Sequence, residues 1–159
     1  MRSAQSALLL LPLIVSLAGC GSSQAVWVKG TVTKSGTAYK VPEGENLDIT
    51  FYTLESISDG DRKIPAGEPF SGTFNQEDSS FTVPGPEGNG IPPGKYKISL
   101  IQKLDRESVD KKNASVKKGQ KRFDRDTDLL KGRFGEESPI VREIKVSGDL
   151  IIDLDKPTP

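Results

Sequence analysis

Apolar and polar residues alternate along several short stretches of the chain, a pattern that predicts β-strands with one buried face. Residues 26–33 place Val26, Val28 and Val32 on one face, and residues 47–52 alternate apolar with polar side chains. Polar residues along one face of a strand are typical of antiparallel sheets. We therefore expect the chain to form an antiparallel sheet.

Turn-forming residues separate the strands that follow. Residues 56–69 mix Gly, Pro and Asp and predict a loop. The stretches 70–74 and 80–83 flank five polar residues, which predicts a hairpin with Phe74 and Phe81 pointing inward.

The Pro93-Gly94 pair predicts a type II turn, in which proline presets its own φ and Gly94 supplies a positive φ. A strand starts directly after this pair. Alternation divides its side chains into a buried set and a water-facing set, respectively Tyr96, Ile98 and Leu100, and Lys97, Ser99 and Lys103.

Two apolar stretches, residues 141–146 and 150–154, flank Ser147-Gly148-Asp149 and predict a closing hairpin. Its apolar side chains are Ile144, Val146, Leu150, Ile152 and Leu154. The inward positions of all these strands give roughly eighteen apolar side chains, enough for a sandwich of ~100 residues. The pattern therefore predicts an all-β sandwich.

An apolar run precedes the only cysteine of the chain. Residues 7–17 follow Arg2 and contain Pro12, so the run falls short of the ~20 residues of a membrane-spanning helix. A basic residue followed by such a run is typical of an export signal peptide. At its end, Leu17-Ala18-Gly19-Cys20 resembles the lipobox of bacterial lipoproteins.

The lipobox resemblance implies that Cys20 is lipidated, that the signal peptide is then cut between Gly19 and Cys20, and that the mature cysteine carries two or three fatty acyl chains such as palmitate. One acyl chain holds a protein only reversibly, whereas several retain it on the membrane. Gly21, a non-acidic residue, implies the outer membrane of the cell envelope. The alternative is an ordinary secretory peptide cut nearby, which leaves Cys20 as a free thiol.

Cleavage would divide the 159 residues into a signal peptide at 1–19, a lipidated cysteine with a short tether at 20–25, and one domain at 26–157. The five tether residues after the cysteine span at most ~17 Å, at ~3.4 Å each. Only Arg2 is lost with the signal, so 22 basic and 22 acidic residues become 21 and 22, a net charge of −1. Such a balance predicts no attraction to nucleic acid.

The chain has no histidine and one cysteine, which excludes the common zinc sites, Ser-His-Asp and Cys-His pairs, and any internal disulfide. Carboxylates, lysines and hydroxyls remain as reactive groups. We expect a protein that is not an enzyme and that binds neither metal nor cofactor.

Three stretches together resemble the carboxypeptidase-regulatory-like, transthyretin-like domain: Val28-Lys29-Gly30-Thr31-Val32, residues 47–51, and Pro92-Pro93-Gly94-Lys95-Tyr96. Residues 130–134, 138–140 and 152–157 resemble small bacterial lipoproteins that carry this domain alone. The resemblance implies a seven-stranded Greek-key sandwich, also called immunoglobulin-like, that acts as an accessory module without catalytic residues. The first loop, residues 35–40, departs from the pattern of that family.

A basic segment lies inside a long charged connection that we expect at residues 105–128. Between residues 111 and 122 it has six basic residues and no acidic one, namely Lys111, Lys112, Lys117, Lys118, Lys121 and Arg122. One interpretation is contact with an anionic surface, to which each basic side chain contributes ~1 kcal/mol. The other is a solvated loop, balanced by neighbouring acidic residues.

Acidic residues offer two further hypotheses. Asp124, Asp126 and Asp128 have the spacing that starts a calcium loop, but the glycine and glutamate of the later positions are missing. The alternative is that Asp128 caps a helix. Asp153 and Asp155 have the residue type of a glycosidase pair, although alternation puts both on an outer face.

Trp27 follows the tether directly, and we expect it to pack at a sheet edge or on the second face. Stacking on a sugar or at a membrane interface is the alternative. The sequence as a whole predicts a membrane-anchored, non-catalytic accessory or binding module of the envelope, whose partners are the membrane and an envelope protein or anionic polymer. The alternatives are a small carboxylate-dependent hydrolase and a carrier of a small apolar ligand held between the sheets.

Overall fold

The computed structural model describes residues 25–59 and 62–157. The predicted signal peptide, its cleavage site at Gly19 and Cys20, and the tether through Gln24 lie outside these residues. No helix within the described ranges is both long and apolar enough to span a bilayer.

The described part of the chain is mostly β-structure. It contains one α-helix and one short 3₁₀ turn, and the elements in order are β1 (Val28–Lys34), β2 (Thr37–Ala38), β3 (Glu45–Thr53), β4 (Ile57–Asp59), β5 (Arg62–Ile64), β6 (Pro69–Asn75), β7 (Ser80–Val83), the 3₁₀ turn (Pro86–Gly88), β8 (Gly94–Leu104), α1 (Arg106–Ala114), β9 (Val141–Ile144) and β10 (Gly148–Asp153).

Seven of these strands form a continuous curled sheet in the order β10-β1-β7-β6-β3-β8-β9, and β2 pairs with β1. Every pair is antiparallel except β1 with β10, which is parallel. Strand β6 pairs with β3 through residues 69–72 and with β7 through residues 73–75. A strand that changes partners in this way lets one sheet fold over on itself, which is consistent with an all-β sandwich.

The buried face of the curled sheet follows the alternation of the sequence. Val26, Val28 and Val32 are buried as predicted, and β3 alternates buried with more exposed residues over its whole length. The hairpin of β6 and β7 is confirmed. Phe51 and Phe81 lie with ring centroids 6.1 Å apart, so aromatic side chains fill the space between the two halves of the sheet.

The predicted closing hairpin is wrong. Strand β9 pairs with β8, whereas β10 pairs with β1 in parallel, so the two strands lie at opposite ends of the strand order. In the segment between them, Ser147 Oγ accepts a hydrogen bond of 2.9 Å from the backbone N–H of Trp27. Val146, expected inside, is 75% exposed. Alternation predicts which face of a strand is buried but not which strand is its neighbour.

The turn before β8 also differs from the prediction. Gly94 lacks the positive φ of a type II turn and already belongs to the strand, whereas Gly90 has a φ of 93°. Ile91 exchanges two backbone hydrogen bonds with Val26, of 2.8 and 3.0 Å. A Cβ on Gly90 would lie 2.6 Å from the Val26 carbonyl oxygen, so this close approach of the backbones requires a glycine.

Ser99 on β8 is buried and does not face water as predicted. The reason is a segment that alternation cannot anticipate, because residues 134–140 run along the free edge of β8. The N–H of Leu100 donates to the Phe134 carbonyl at 2.8 Å, and Ser138 Oγ donates to the Ile98 carbonyl at 2.5 Å. This part of β8 is therefore covered.

Two predicted loops contain regular structure. Within the predicted loop at residues 56–69, strands β4 and β5 pair in antiparallel fashion, and Ile64 of β5 is buried. The connection at residues 105–128 begins with helix α1, whose N-cap Asp105 accepts a hydrogen bond from the Ser108 N–H at 2.7 Å. A capping carboxylate satisfies one of the unpaired N–H groups of a first turn.

The strand directions define two ends of the domain. Strands β1 and β8 start at one end, the tether pole, which carries residues 25–27, 89–91 and 145–147. Strand β8 ends at the other, the basic pole, which carries α1 and residues 115–128. An 11-residue strand separates the poles, a distance of roughly 35 Å at ~3.3 Å per residue.

Candidate functional site

Helix α1 places the first two basic residues of the segment at the basic pole. Lys111 and Lys112 lie in its last turn and Glu107 in its first, the arrangement that the helix dipole favours. Lys111 Nζ lies 2.7 Å from a Glu107 carboxylate oxygen, and this hydrogen bond raises the pKa of Lys111. Val109 is the buried residue of the helix and fixes it on the sheet.

The rest of the basic segment folds back on the helix. The side chain of Asn113 donates to the Phe123 carbonyl at 3.0 Å and accepts from the Phe123 N–H at 2.8 Å. Lys112 Nζ lies 5.4 Å from the centroid of the Phe123 ring. These contacts hold the two ends of the loop at residues 114–122 together.

A tight turn forms the tip of this loop. The Gln120 N–H donates to the Lys117 carbonyl at 3.1 Å, and Gly119 has a φ of 92°. A glycine is favoured at such a position because a side chain would be strained there. The turn exposes Lys117 and Lys118 at the surface.

The six basic residues predicted as an anionic-surface contact are all exposed at the basic pole. Within the described ranges, five of them lack an ion pair and only Lys111 has one. Beside them lies a groove of about 310 Å³. Its lining is apolar at Leu104, Phe123 and Leu129, basic at Lys121 and Arg122, and also includes Asp124 and Thr127. This arrangement can hold a polymer that carries anionic groups and some apolar surface.

Asp128 does not cap a helix as predicted but holds a loop in place. Residues 129–134 form turns, and the carboxylate of Asp128 accepts from the N–H groups of Gln102, Leu130 and Gly132 at 3.1, 2.9 and 2.8 Å. It therefore fastens the end of the basic loop to β8. Asp124 instead accepts from the Asp126 N–H. The described residues contain no group of three side chains placed to hold a metal ion.

Asp153 and Asp155 form hydrogen bonds to a turn at the basic pole. Asp153 accepts from the Gly36 N–H at 2.9 Å, and Asp155 accepts from Ser35 Oγ at 2.5 Å. Ser35 and Gly36 both have positive φ, in the turn that joins β1 to β2. Backbone N–H groups, those of Asp155 and Gly36 first, lower the pKa of Asp153. The pair named as glycosidase candidates therefore has hydrogen-bonding partners in the fold.

The lowered pKa of Asp153 gives a testable dependence on pH. A carboxylate whose pKa is lower in the folded state stabilises the protein above its unfolded pKa of ~3.9 and stops doing so as the pH falls through the folded value. Asp153→Asn should therefore lower the melting temperature at pH 7, and the difference from the parent protein should narrow below pH 4. Asp149→Asn, at an exposed ion pair with Lys29, is the control. A difference that stays constant to pH 2 would contradict this assignment.

A polar network at the basic pole was missed by the sequence analysis. Tyr39 Oη donates to Gln102 Oε1 at 2.5 Å, and Gln102 Nε2 donates to a Glu45 carboxylate oxygen. Burial raises the pKa of Tyr39. The network joins β3 and β8 to the segment after β2, and strand alternation gives no signal for it.

The tether pole carries a shallow groove of about 480 Å³ formed by residues 25–27, Asn89 and residues 145–147. Trp27 is 55% exposed there and is not packed as expected. Its backbone is nevertheless fixed between Ser147 and Gly148, through bonds of 2.9 and 3.4 Å. The groove is therefore a defined surface, with an indole and the side chain of Val146 at its rim.

Comparison with known proteins gives no family: no protein-family model, no curated protein and no solved structure matches this chain. The resemblances to a bacterial lipoprotein and to a transthyretin-like domain stay predictions.

Proposed function

We propose that the protein is a lipid-anchored, non-catalytic binding module of the bacterial envelope, which holds its basic pole toward an anionic envelope polymer. Acyl chains on Cys20 would retain it on the membrane, and Gly21 favours the outer one. The observation that supports this proposal is the position of the basic segment. It lies at one end of the sheet, and Ala25, the residue at which the tether enters the domain, lies at the other.

The distance between the poles favours a polymer over the membrane as the partner of the basic segment. The tether reaches ~17 Å from the lipid, and the basic pole lies roughly 35 Å farther along the strands. Electrostatic attraction falls off over ~8 Å at physiological ionic strength. A basic pole pointing away from the bilayer therefore meets material in the adjoining space.

For the fold we propose the seven-stranded Greek-key, transthyretin-like sandwich. Its support is the sequence resemblance at residues 28–32, 47–51 and 92–96, together with the seven-strand order and the change of partners along β6. In this interpretation β2 and the hairpin of β4 and β5 are additions to the seven main strands.

The alternatives are less well supported by the contacts. A hydrolase would need two unengaged carboxylates across a cleft, whereas Asp128, Asp153 and Asp155 accept hydrogen bonds that hold loops. A carrier of an apolar ligand would need space between the two halves of the sheet. That space is filled by aromatic rings, since the ring centroid of Phe51 lies 6.1 Å from those of Phe81 and Tyr96.

Removing charge from the basic loop tests the proposed binding. We expect a loss of affinity for isolated cell-wall sacculi of about tenfold to a hundredfold at low salt, because each basic side chain contributes at most ~1 kcal/mol and salt screens it. The measurement is cosedimentation of the lipidated protein in detergent. The variant changes four exposed residues to serine: Lys117, Lys118, Lys121 and Arg122.

A matched control removes the same charge from the tether pole. It changes to serine four exposed lysines on the strands and loops of that end: Lys29, Lys63, Lys95 and Lys145. We expect this variant to cosediment like the parent protein. An equal loss of affinity in both variants, or no loss in either, would show that the basic loop is a solvated surface. It would contradict binding to an anionic polymer.

A further inference from the structure

Large exposed apolar side chains are concentrated at the tether pole. The described residues have six of them, and Trp27, Leu54 and Val146 lie at this end. Trp27 and Val146 line the same groove, and Leu54 follows β3, with its N–H bonded to the Lys95 carbonyl. A side chain such as Val146, 75% exposed, is costly to keep in water.

The charges around this groove are balanced locally. Lys145 Nζ lies 3.1 Å from Glu143, and Lys29 Nζ lies 3.3 Å from Asp149. The groove therefore differs from the basic pole, since it offers apolar and indole surface without an excess of positive charge. Such a surface suits the boundary between headgroups and acyl chains, where tryptophan is enriched.

The chain itself brings this surface to a bilayer. Only residues 21–24 separate Cys20 from the groove residue Ala25, and an extended tether of this length spans at most ~17 Å. The backbone of Trp27, which is hydrogen-bonded to Ser147, then fixes where the indole leaves the chain. A lipid on Cys20 would keep the groove beside the membrane at high effective concentration.

We propose that the tether pole docks in the interfacial layer of the anchoring membrane, with Trp27 and Val146 inserted at the headgroup boundary. The docking rests on the proposed lipid anchor and sets the orientation of the domain. Because the two poles lie at opposite ends of the sheet, the basic pole then points away from the membrane. The contact is apolar, so it depends little on salt or on anionic lipid.

The test uses Trp27 as a reporter, since it is the only tryptophan of the chain. The lipidated protein is placed in phosphatidylcholine vesicles with brominated acyl chains, and tryptophan fluorescence is recorded. We expect emission at shorter wavelength than in the vesicle-free protein and strong quenching by bromine. Val146→Glu should lose most of that quenching. Ile151→Glu, a matched change at a 66% exposed residue of β10 away from the pole, should retain it.

Each outcome is decisive. A protein that carries acyl chains and floats with the vesicles, but whose Trp27 is not quenched, overturns the docking and leaves the anchor standing. Equal quenching in Val146→Glu and the parent overturns the docking as well. A protein without acyl chains that stays in solution overturns the proposed function and the docking together. Far-ultraviolet circular dichroism of both variants shows that the fold is retained.

Discussion

Cys20→Ser is expected to abolish acylation completely and to leave a precursor that still carries residues 1–19, because the lipobox resemblance implies that the signal is removed only after lipidation. In the parent protein each buried methylene of an acyl chain contributes ~0.8 kcal/mol, and two or three chains together give stable anchoring. Serine cannot accept these chains through a thioether. The measurement is mass spectrometry of the purified products, which should show acyl groups on the mature parent protein and an uncut signal without acyl groups on the variant.

A relocated thiol separates the lipobox from simple thiol chemistry. In the double variant Cys20→Ser, Ser23→Cys the chain keeps one cysteine, three residues beyond its original place. We expect this protein to lack acyl chains and to keep residues 1–19 as well, because the cysteine no longer follows Leu17-Ala18-Gly19. Acyl chains on either variant, or removal of the signal from either, would contradict lipidation of Cys20 at the lipobox.

Phe51→Ala is expected to have the largest effect on the free energy of unfolding. Phe51 is fully buried on β3, and its ring lies 6.1 Å from those of Phe81 and Tyr96. Truncating a buried phenylalanine costs about 3–5 kcal/mol, a large part of the ~5–15 kcal/mol of a typical domain. Urea denaturation followed by circular dichroism measures the change.

Phe123→Ala is the matched control for this prediction. Phe123 is 49% exposed, and its ring packs beneath Lys112 at the basic pole. Its loss should cost less than about 1 kcal/mol. Similar costs for the two substitutions would mean that the two halves of the sheet do not close over Phe51.

Burial was the part of the fold that the sequence could predict. Valines at period two in β1 and the alternation of β3 both identified the inner face, because each strand turns successive side chains to opposite sides. The pairing of the strands could not be predicted in the same way. The turn-like Ser147-Gly148-Asp149 suits a hairpin, but here it crosses from β9 to β10. Local sequence does not encode which distant edge a strand joins.

The candidate site shows the same division. Six basic residues without an acidic one are visible in the sequence, whereas their distance from the tether depends on the direction of every strand between them. Trp27 was expected to pack because aromatic residues usually do, and its exposure follows from the crossing at Ser147. Asp128 was recognised as a partner of backbone N–H groups, but its partner on β8 could not be inferred.

The parallel pairing of β1 with β10 has a bearing on export. Trp27 and Ser147, which meet at the start of this pair, are 120 positions apart in the chain. The first strand obtains this neighbour only when synthesis is nearly complete, and contacts so distant in sequence form slowly. For the export proposed above, this means that the chain would still lack its complete sheet while it is being threaded across a membrane.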